Sequence, residues 1–331
     1  MRAFPHQKGS LAFSPKTKTM YTTTDLTYQT NRILELEPYV GQTPLYEIKR
    51  LFNKPGVRLF AKLEWHQFGG SVKARAAYRI IREALYSGEL NGENQLLDAT
   101  SGNTGIAYAI FCAVAGIRIT LCVPANASKE RKQFFDTLGV NVIYTDPMET
   151  TDGAQQVARD LKAADPHKYF YADQYSNPNN WKAHYYTTAE ELWQQTRGGI
   201  THFVAGLGTT GTFTGTGKRL KELNDSIQLI SLQPETALHG MEGWKHLETA
   251  HVPSIFDNQL ADKTHTVDTL QAYEIIKQAA KYEGLMLSPS SAANLFGAIQ
   301  VANSLDEGTV VTVLPDDSSK YGEVINQLFN N

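Results

Sequence analysis

The sequence has few cysteines, no long hydrophobic run and little excess of charge, and each shortage excludes a class of protein. Only two of the 331 residues are cysteines, which is too few for a disulfide scaffold and is typical of a reducing compartment such as the cytoplasm. Cys112 and Cys122 both lie in apolar runs and are predicted to be core residues. The net charge of −3, from 31 basic and 34 acidic side chains, provides no basic surface for nucleic acid.

The longest apolar stretch, residues 105–117, is shorter than the ~20 residues that a membrane-spanning helix needs. We therefore predict a buried helix there and no membrane partner. Residues 1–30 carry basic side chains but no apolar segment, so they do not have the pattern of a secretory signal. We expect a mobile tail over this range, and an organelle transit peptide is the alternative.

Short β-branched and aromatic runs alternate with helical patterns from about residue 58 onward. The runs predicted as strands cover residues 58–65, 94–100, 117–124, 140–146, 168–174, 201–207, 227–235 and 309–316. This alternation is typical of an α/β fold in which twisted, mostly parallel sheets are flanked by helices. The chain length predicts about two domains. Ligands in such folds bind where the carboxyl ends of strands lead into helices.

Three strand-to-helix junctions are rich in glycine, serine and threonine, and the strongest is VAGLGTTGTFTG at residues 204–215. The N–H groups at a helix start attract anions. Gly206, Gly208 and Gly211 also match the GxGxxG pattern of dinucleotide-binding proteins, with Glu235 about where a ribose partner would stand. Against a nicotinamide oxidoreductase, the pattern lies two-thirds along the chain, and its threonines suit one compact phosphate.

The other two junctions are DATSGNTG at residues 98–105 and SPSSAAN at residues 288–294. Taken alone, the first is as readily a capped helix start as a ligand-binding loop. In the second, Ser290 or Ser291 would serve as a helix N-cap.

Lys73 follows a Gly-Gly pair and lies beside the apolar face of a predicted helix. A lysine in this position is most often a solvated side chain. Its other use is as a desolvated amine of lowered pKa that forms a Schiff base.

Six motifs, in the order and spacing found here, resemble those of the cysteine synthase family. They are LEWHQFGGSVKAR, ATSGNTG, VPANASKERKQFFDTLG, GLGTTGTFTG, SPSSAAN and VLPDDSSKY. The resemblance runs from about residue 40 to the C-terminus and implies a pyridoxal-phosphate enzyme of fold type II, similar to the tryptophan synthase β-subunit. The segment at residues 239–257 resembles the B-type cysteine synthases more than the A-type.

The resemblance also implies roles for particular residues. Lys73 would be the catalytic residue and form the Schiff base with pyridoxal phosphate. The remaining cofactor-binding residues would be Asn103 at the ring 3′-oxygen, Gly208, Thr209, Thr210, Gly211 and Thr212 at the phosphate, and Ser290 at the pyridine nitrogen. The substrate α-carboxylate would be held by Thr100, Ser101, Thr104 and Gln174.

A second-substrate loop is implied around residues 239–257. One of His239, Lys245 and His246 would meet the leaving group or the sulfur donor, and a role as solvent-exposed loop residues is the alternative. The hexapeptide HLETAH at residues 246–251 is not the HExxH motif, so we predict no metal site.

The sequence departs from the family in four short motifs. Gln67-Phe68 stands for the usual Asn-Pro, Lys73-Ala74-Arg75 for Lys-Asp-Arg, Thr210-Gly211 for Gly-Gly, and Ser290-Ser291-Ala292 for Ser-Ser-Gly. None of these changes removes a group that the chemistry needs.

The resemblance implies a β-replacement that makes L-cysteine from O-acetylserine or O-phosphoserine and sulfide or thiosulfate, through an α-aminoacrylate. The alternatives are β-replacement with another nucleophile (giving cystathionine or a diamino acid), a serine/threonine dehydratase, and a non-catalytic homologue. Residues 67–176 would form a smaller, mobile domain that clamps the substrate. Residues 31–66 plus 177–331 would form the larger domain that binds the cofactor phosphate, with the active site between the two. A homodimer is expected, and a serine acetyltransferase partner is left open.

Overall fold

The computed structural model describes residues 22–100 and 102–330, except for the side chain of Asn330. The α-helices are Leu26–Leu34 (α1), Lys73–Ser87 (α2), Asn103–Ala115 (α3), Lys129–Thr137 (α4), Thr150–Ala164 (α5), Pro178–Tyr186 (α6), Thr188–Gln195 (α7), Gly211–Leu223 (α8), Thr269–Glu283 (α9), Pro289–Asn303 (α10) and Gly322–Asn330 (α11). The strands are Leu45–Ile48 (β1), Val57–Leu63 (β2), Gln95–Ala99 (β3), Ile119–Pro124 (β4), Asn141–Thr145 (β5), Tyr169–Tyr171 (β6), His202–Gly206 (β7), Gln228–Pro234 (β8), Lys263–Val267 (β9) and Gly308–Leu314 (β10).

These strands form two sheets. One has six strands in the order β1-β2-β10-β7-β8-β9, and the other has four in the order β5-β4-β3-β6. Only β1 and β2 pair antiparallel, and every other neighbouring pair is parallel. Helix α10 packs on the larger sheet and α5 on the smaller. The predicted α/β fold with mostly parallel sheets and flanking helices is confirmed.

Helix α3 fills the space beside the smaller sheet because its sequence is apolar on every face. Most of its side chains are buried, and it ends at Gly116, whose φ of 68° favours glycine. Cys112 of this helix and Cys122 of β4 are both buried and free, so the prediction that they are core residues is confirmed. None of the described helices is both long enough and apolar enough to cross a membrane.

Helix α1 begins inside the range that we expected to be a tail. The Asp25 side chain caps it by accepting from the Tyr28 N–H, and the Thr23 N–H donates to the Gly116 carbonyl, 2.9 Å away. Gln29 and Ile33 are buried where α1 packs on α2 and α3. The expected tail is therefore wrong for residues 22–30, because an amphipathic segment covers the smaller sheet's helices. The rest of that range, residues 1–21, lies outside the described residues.

A buried charge cluster fixes the start of α2 against the larger sheet. The Arg75 guanidinium donates to the Glu64 carboxylate, at 2.7 and 2.8 Å, and to Glu191 of α7 at 2.6 and 2.8 Å. Lys62 of β2 pairs at 2.7 Å with Glu191 Oε2, the oxygen that also accepts from Arg75 Nη2. Burial alone would raise the pKa of Glu191, but hydrogen bonds and charges from Arg75 and Lys62 lower it to about 2. Glu191 is therefore ionised at neutral pH.

Replacing the central guanidinium should strongly destabilise the fold. In Arg75→Met, Glu64 stays fully buried without its cationic partner, which typically costs about 3–5 kcal/mol of unfolding free energy. Urea denaturation followed by circular dichroism measures the change. Arg219→Met is the matched control, because it breaks a pair with Glu190 in which both side chains are about one-third exposed. Equal losses in the two variants would contradict a special role for the buried cluster.

Candidate active site

One cleft lies where four helices begin. Its volume is about 870 Å³ including its open mouth, within the range of small-molecule sites. The first residues of α2 and α3, the residues around the start of α8 and the first turn of α10 all line it. The sequence-predicted residues on its wall are Lys73, Thr100, Asn103, Thr104, Gln174, Gly208, Thr209, Thr210, Thr212 and Ser290.

The Lys73 amine is the only unpartnered ammonium or amine that we find on the cleft wall within the described residues. Its side chain is partly buried, and its Nζ forms no hydrogen bond or ion pair within the described part of the chain. Desolvation lowers the pKa of Lys73, although the negative charges of Asp316 and Glu64 oppose the shift. Partial burial, a lowered pKa and the lack of a partner suit a nucleophilic amine better than a solvated surface lysine.

The start of α8 faces the same cleft and forms an anion cradle. Thr209 and Thr210 are buried there, and no side chain caps the helix, so its first N–H groups are available to a ligand. Thr210 has a φ of 69°, unusual for a residue with a branched side chain. Its buried Oγ1 has no hydrogen-bond partner among the described residues. An unsatisfied hydroxyl and free N–H groups at a helix start suit a phosphate.

The three glycines of the GxGxxG pattern are explained by their neighbours. A methyl group added at Gly206 would lie 2.1 Å from the Trp244 ring, and one at Gly208 would lie 2.0 Å from the Gly243 carbonyl oxygen. At Gly211 it would lie 2.0 Å from the side-chain oxygen of Asn180. Close packing against these groups therefore requires glycine at each position, without any dinucleotide.

Two residues of α6 support the cradle, and sequence reasoning missed both. The Asn180 amide donates to Thr209 Oγ1 at 3.1 Å and to the Gln174 carbonyl at 2.6 Å. His184 Nε2 lies 3.2 Å from Thr212 Oγ1. Burial, with the charges of Arg75 and Lys73, holds the pKa of His184 well below its usual value, so the ring is neutral. The sequence shows only a polar helical stretch here, with no motif to single out either residue.

Side-chain hydrogen bonds fix the loop after β3 at the start of α3. Thr100 Oγ1 accepts from the N–H groups of Gly102 and Gly105, both at 3.2 Å. Thr104 Oγ1 donates to Gln174 Oε1 at 2.6 Å, and the Gln174 amide donates to the Ala99 carbonyl at 3.0 Å. The structure thus brings together Thr100, Thr104 and Gln174. The fourth residue predicted to hold the substrate carboxylate, Ser101, lies outside the described residues.

Asp316, which follows β10, orients the first residue of α3. Its Oδ2 accepts from the Asn103 amide and from the Tyr321 hydroxyl, both at 2.8 Å. Asn103 Oδ1 is left buried with no partner in the described part of the chain. The amide therefore turns an unsatisfied acceptor toward a ligand. Sequence reasoning missed Asp316, because its partner is 213 residues away.

Ser290 lies on the cleft wall, but neither it nor Ser291 is the N-cap of α10. The cap is Ser288, whose side chain accepts from the Ser291 N–H at 3.2 Å. Ser291 Oγ instead donates to the Asp316 carbonyl at 2.6 Å. The N-cap interpretation of these two serines is wrong, because the helix already starts at Pro289 and both serines lie inside its first turn.

The residues expected in a second-substrate loop are not on the cleft wall. His239 accepts from the Met241 N–H, and His246 lies 2.9 Å from Thr249 Oγ1. Lys245 pairs with Asp152 of α5, 2.8 Å away. The same segment lines the cleft through three other residues, Glu242, Gly243 and Trp244.

The unsatisfied groups of the cleft match the parts of one cofactor. The aldehyde of pyridoxal phosphate can react with an amine, and a polar substituent of its ring can hydrogen-bond to an amide. Its phosphate can bind at a helix start. The cleft therefore defines a pyridoxal-phosphate enzyme.

The comparisons with known proteins agree with that class. The family described as pyridoxal-phosphate dependent enzyme matches residues 36–316, and the chain belongs to this family. It is 46% identical to a cysteine synthase of Aquifex aeolicus over 289 residues, 85% of this chain and 88% of the relative. It is 36% identical to cysteine synthase B of Escherichia coli over 288 residues, 86% and 93% of the two chains.

A solved structure has the same fold. The O-acetylserine dependent cystathionine beta-synthase from Helicobacter pylori superposes with a TM-score of 0.81 at 31% identity, over 86% of this chain and 96% of that one. The fold and the cofactor implied by the resemblance are confirmed. The roles of the individual residues stay predictions.

Removing the amine should abolish covalent cofactor binding. We expect Lys73→Ala to fold but to lack both the visible absorbance of the lysine-bound cofactor and the activity. Cofactor uptake by the wild-type apoenzyme should quicken as pH rises and level off below the ~10.4 of a free lysine, because burial lowers the pKa of Lys73. Lys277→Ala, at an exposed position of α9, is the control. Full turnover by Lys73→Ala would refute the assignment.

Removing two hydroxyls of the cradle should weaken cofactor retention. We expect Thr209→Val combined with Thr212→Val to raise the cofactor Kd about tenfold or more, since hydrogen bonds to charged groups contribute roughly 1.5–3 kcal/mol. Equilibrium dialysis measures the Kd. Thr216→Val is the matched control, because its buried hydroxyl lies further along α8 and off the cleft wall. Unchanged retention in the double variant would leave the loop with a structural role.

Proposed function

We propose that the chain catalyses a pyridoxal-phosphate-dependent β-replacement that makes L-cysteine from an O-activated L-serine and a sulfur nucleophile. With O-acetylserine and hydrogen sulfide, the products are L-cysteine and acetic acid. One observation carries the proposal: the unpartnered Lys73 amine shares a cleft with the anion cradle of α8 and the loop after β3. The cysteine synthases among its relatives support the same reaction.

The chain's own groups fit the steps of this reaction. When bound, pyridoxal phosphate withdraws electrons from the substrate Cα, which makes the α-proton acidic and the β-substituent a leaving group. Lys73 Nζ, whose pKa is lowered by burial, accepts the α-proton. The loop around Thr100 and Thr104 binds the substrate carboxylate through its N–H groups. This orients the Cα–H bond toward Lys73.

Ser290 gives the site a neutral partner for the ring nitrogen. A hydroxyl does not hold that nitrogen protonated, as a carboxylate would. Electron withdrawal is thereby limited, which favours rapid loss of the β-substituent over transamination. The burial of Ser290 and its contact with Ser288 Oγ, 3.2 Å away, support a fixed orientation.

We further propose that residues 67–176 form a smaller unit that closes over a larger one of residues 31–66 and 177–331. The four-stranded sheet lies within the first range, and the six-stranded sheet is built from the second. Closure would exclude water from the reacting groups. Assembly as a homodimer and a cytoplasmic location belong to the same proposal, and the two free, buried cysteines suit a reducing compartment.

The reaction is tested by supplying the purified holoenzyme with O-acetylserine, alone and with sulfide. We expect L-cysteine only when both are present, and none from Lys73→Ala. Pyruvate released from O-acetylserine or serine without sulfide would instead identify a dehydratase. The likeness to the Helicobacter pylori enzyme favours cystathionine formation as the second candidate, and homocysteine in place of sulfide tests it. No product under any condition would support a non-catalytic homologue.

A further inference from the structure

A second cation, Arg131, lines the cleft, and the reaction proposed above does not use it. Arg131, on α4, is only 5% exposed, and its Nη2 forms an ion pair with Glu242. Its Nε is buried with no hydrogen-bond partner among the described residues. A guanidinium with an unsatisfied N–H on a cleft wall is a donor without its acceptor.

The surroundings of Arg131 hold it in one place. Its backbone N–H donates to Ser128, the N-cap of α4, and its guanidinium carbon lies 5.4 Å from the centre of the Tyr321 ring. A methyl group added at Gly102 would lie 3.6 Å from that carbon. Arg131 is therefore fixed beside the loop that presents N–H groups to the substrate carboxylate. Little side-chain freedom is left to lose when a ligand binds.

The ion-pair partner is exposed enough to be replaced. The Glu242 side chain is 44% exposed, against 6% for Arg131, so water competes for the carboxylate while the guanidinium stays desolvated. A compact oxyanion could take the Nη2 bond from Glu242 and also accept from Nε. Two parallel N–H donors are the geometry in which arginine binds phosphate and similar oxyanions.

We propose that Arg131 binds a compact oxyanion carried by a substrate, and that Glu242 competes for the same donors. This inference rests on the proposed function and names the substrate class. The oxyanion is either the phosphoryl group of an O-phosphoserine donor or a thiosulfate nucleophile. The phosphoryl oxygen is bonded to the substrate β-carbon, and thiosulfate attacks that carbon.

A purely structural role makes a different prediction. Lys245 and Asp152 form a second ion pair between the segment after β8 and the helices of the smaller sheet, as Glu242 and Arg131 do. If both ion pairs only hold that segment in place, breaking either one should change kcat/KM equally for all substrates. If Arg131 binds an oxyanion, the change in kcat/KM on replacing Arg131 should instead depend on the charge of the substrate.

The test compares wild type, Arg131→Met, Arg131→Lys and Lys245→Met as holoenzymes. The kcat/KM of each is measured with O-acetylserine plus sulfide, O-phosphoserine plus sulfide, and O-acetylserine plus thiosulfate. We expect Arg131→Met to lower kcat/KM about tenfold or more with one of the two oxyanion-containing pairs, relative to O-acetylserine plus sulfide. Arg131→Lys should restore part of that loss. The affected substrate pair identifies the donor or the nucleophile as the oxyanion. Lys245→Met should change kcat/KM by the same factor with all three substrate pairs.

Glu242→Gln should have the opposite effect on kcat/KM from Arg131→Met. Without the competing carboxylate, kcat/KM with the same oxyanion-containing pair should rise relative to that with O-acetylserine plus sulfide. The proposal would be overturned if Arg131→Met changed kcat/KM equally with all three substrate pairs, or changed it with none.

A binding measurement keeps this result separate from the proposed reaction. Calorimetric titration of wild-type holoenzyme with inorganic phosphate and with thiosulfate should show binding of at least one of them, weakened about tenfold or more in Arg131→Met. Binding of neither anion, or equal binding to both proteins, would refute the oxyanion site. Absence of cysteine with sulfide, and of S-sulfocysteine with thiosulfate, would refute the reaction alone, and the titration would still decide the role of Arg131.

Discussion

The active site depends on keeping one amine out of water without giving it a partner. Desolvation makes Lys73 reactive, but an unpaired buried cation is unfavourable and tends to move toward solvent or a carboxylate. Hydrogen bonds to the two carboxylates that act on Lys73 oppose that movement. Glu64 is bound by Arg75, two residues further along α2, and Asp316 Oδ2 accepts from Asn103 and Tyr321. The contact between Arg75 and Glu64 also attaches the start of α2 to β2.

Two of the departures from the family pattern lie near the buried charge cluster around Arg75. Gln67, which stands where the family has asparagine, donates to Glu64 Oε2 at 2.8 Å and accepts from the Gly41 N–H at 3.0 Å. Ala74, in place of an acid, is fully buried in the core beside the smaller sheet. Both changes act behind the cleft wall, since neither residue lines the cleft. They therefore alter how α2 is held and leave the groups that face the cofactor in place.

The sequence predicted the parts of the fold that are buried and contiguous. All eight predicted strands exist, whereas β1 and β9 were missed, and these are the two edges of the six-stranded sheet. An edge strand is covered on fewer sides, so its sequence need not be apolar; β9 reads KTHTV and only its last residue is buried. The glycine-rich junctions likewise revealed the cleft. Asn180, Asp316 and Arg131 did not stand out, because their roles arise from contacts between distant segments.

Burial affects the basic side chains of the site in two ways. It lowers the pKa of Lys73, on the cleft wall, and of His184, which contacts Thr212, because it disfavours their charged forms. Arg131, on the same wall and only 5% exposed, remains ionised because a guanidinium does not deprotonate in proteins. A fixed cation held by its own contacts discriminates between substrates by charge and leaves the Lys73 amine unpaired. Reactivity and substrate choice can therefore be set by different residues of one cleft.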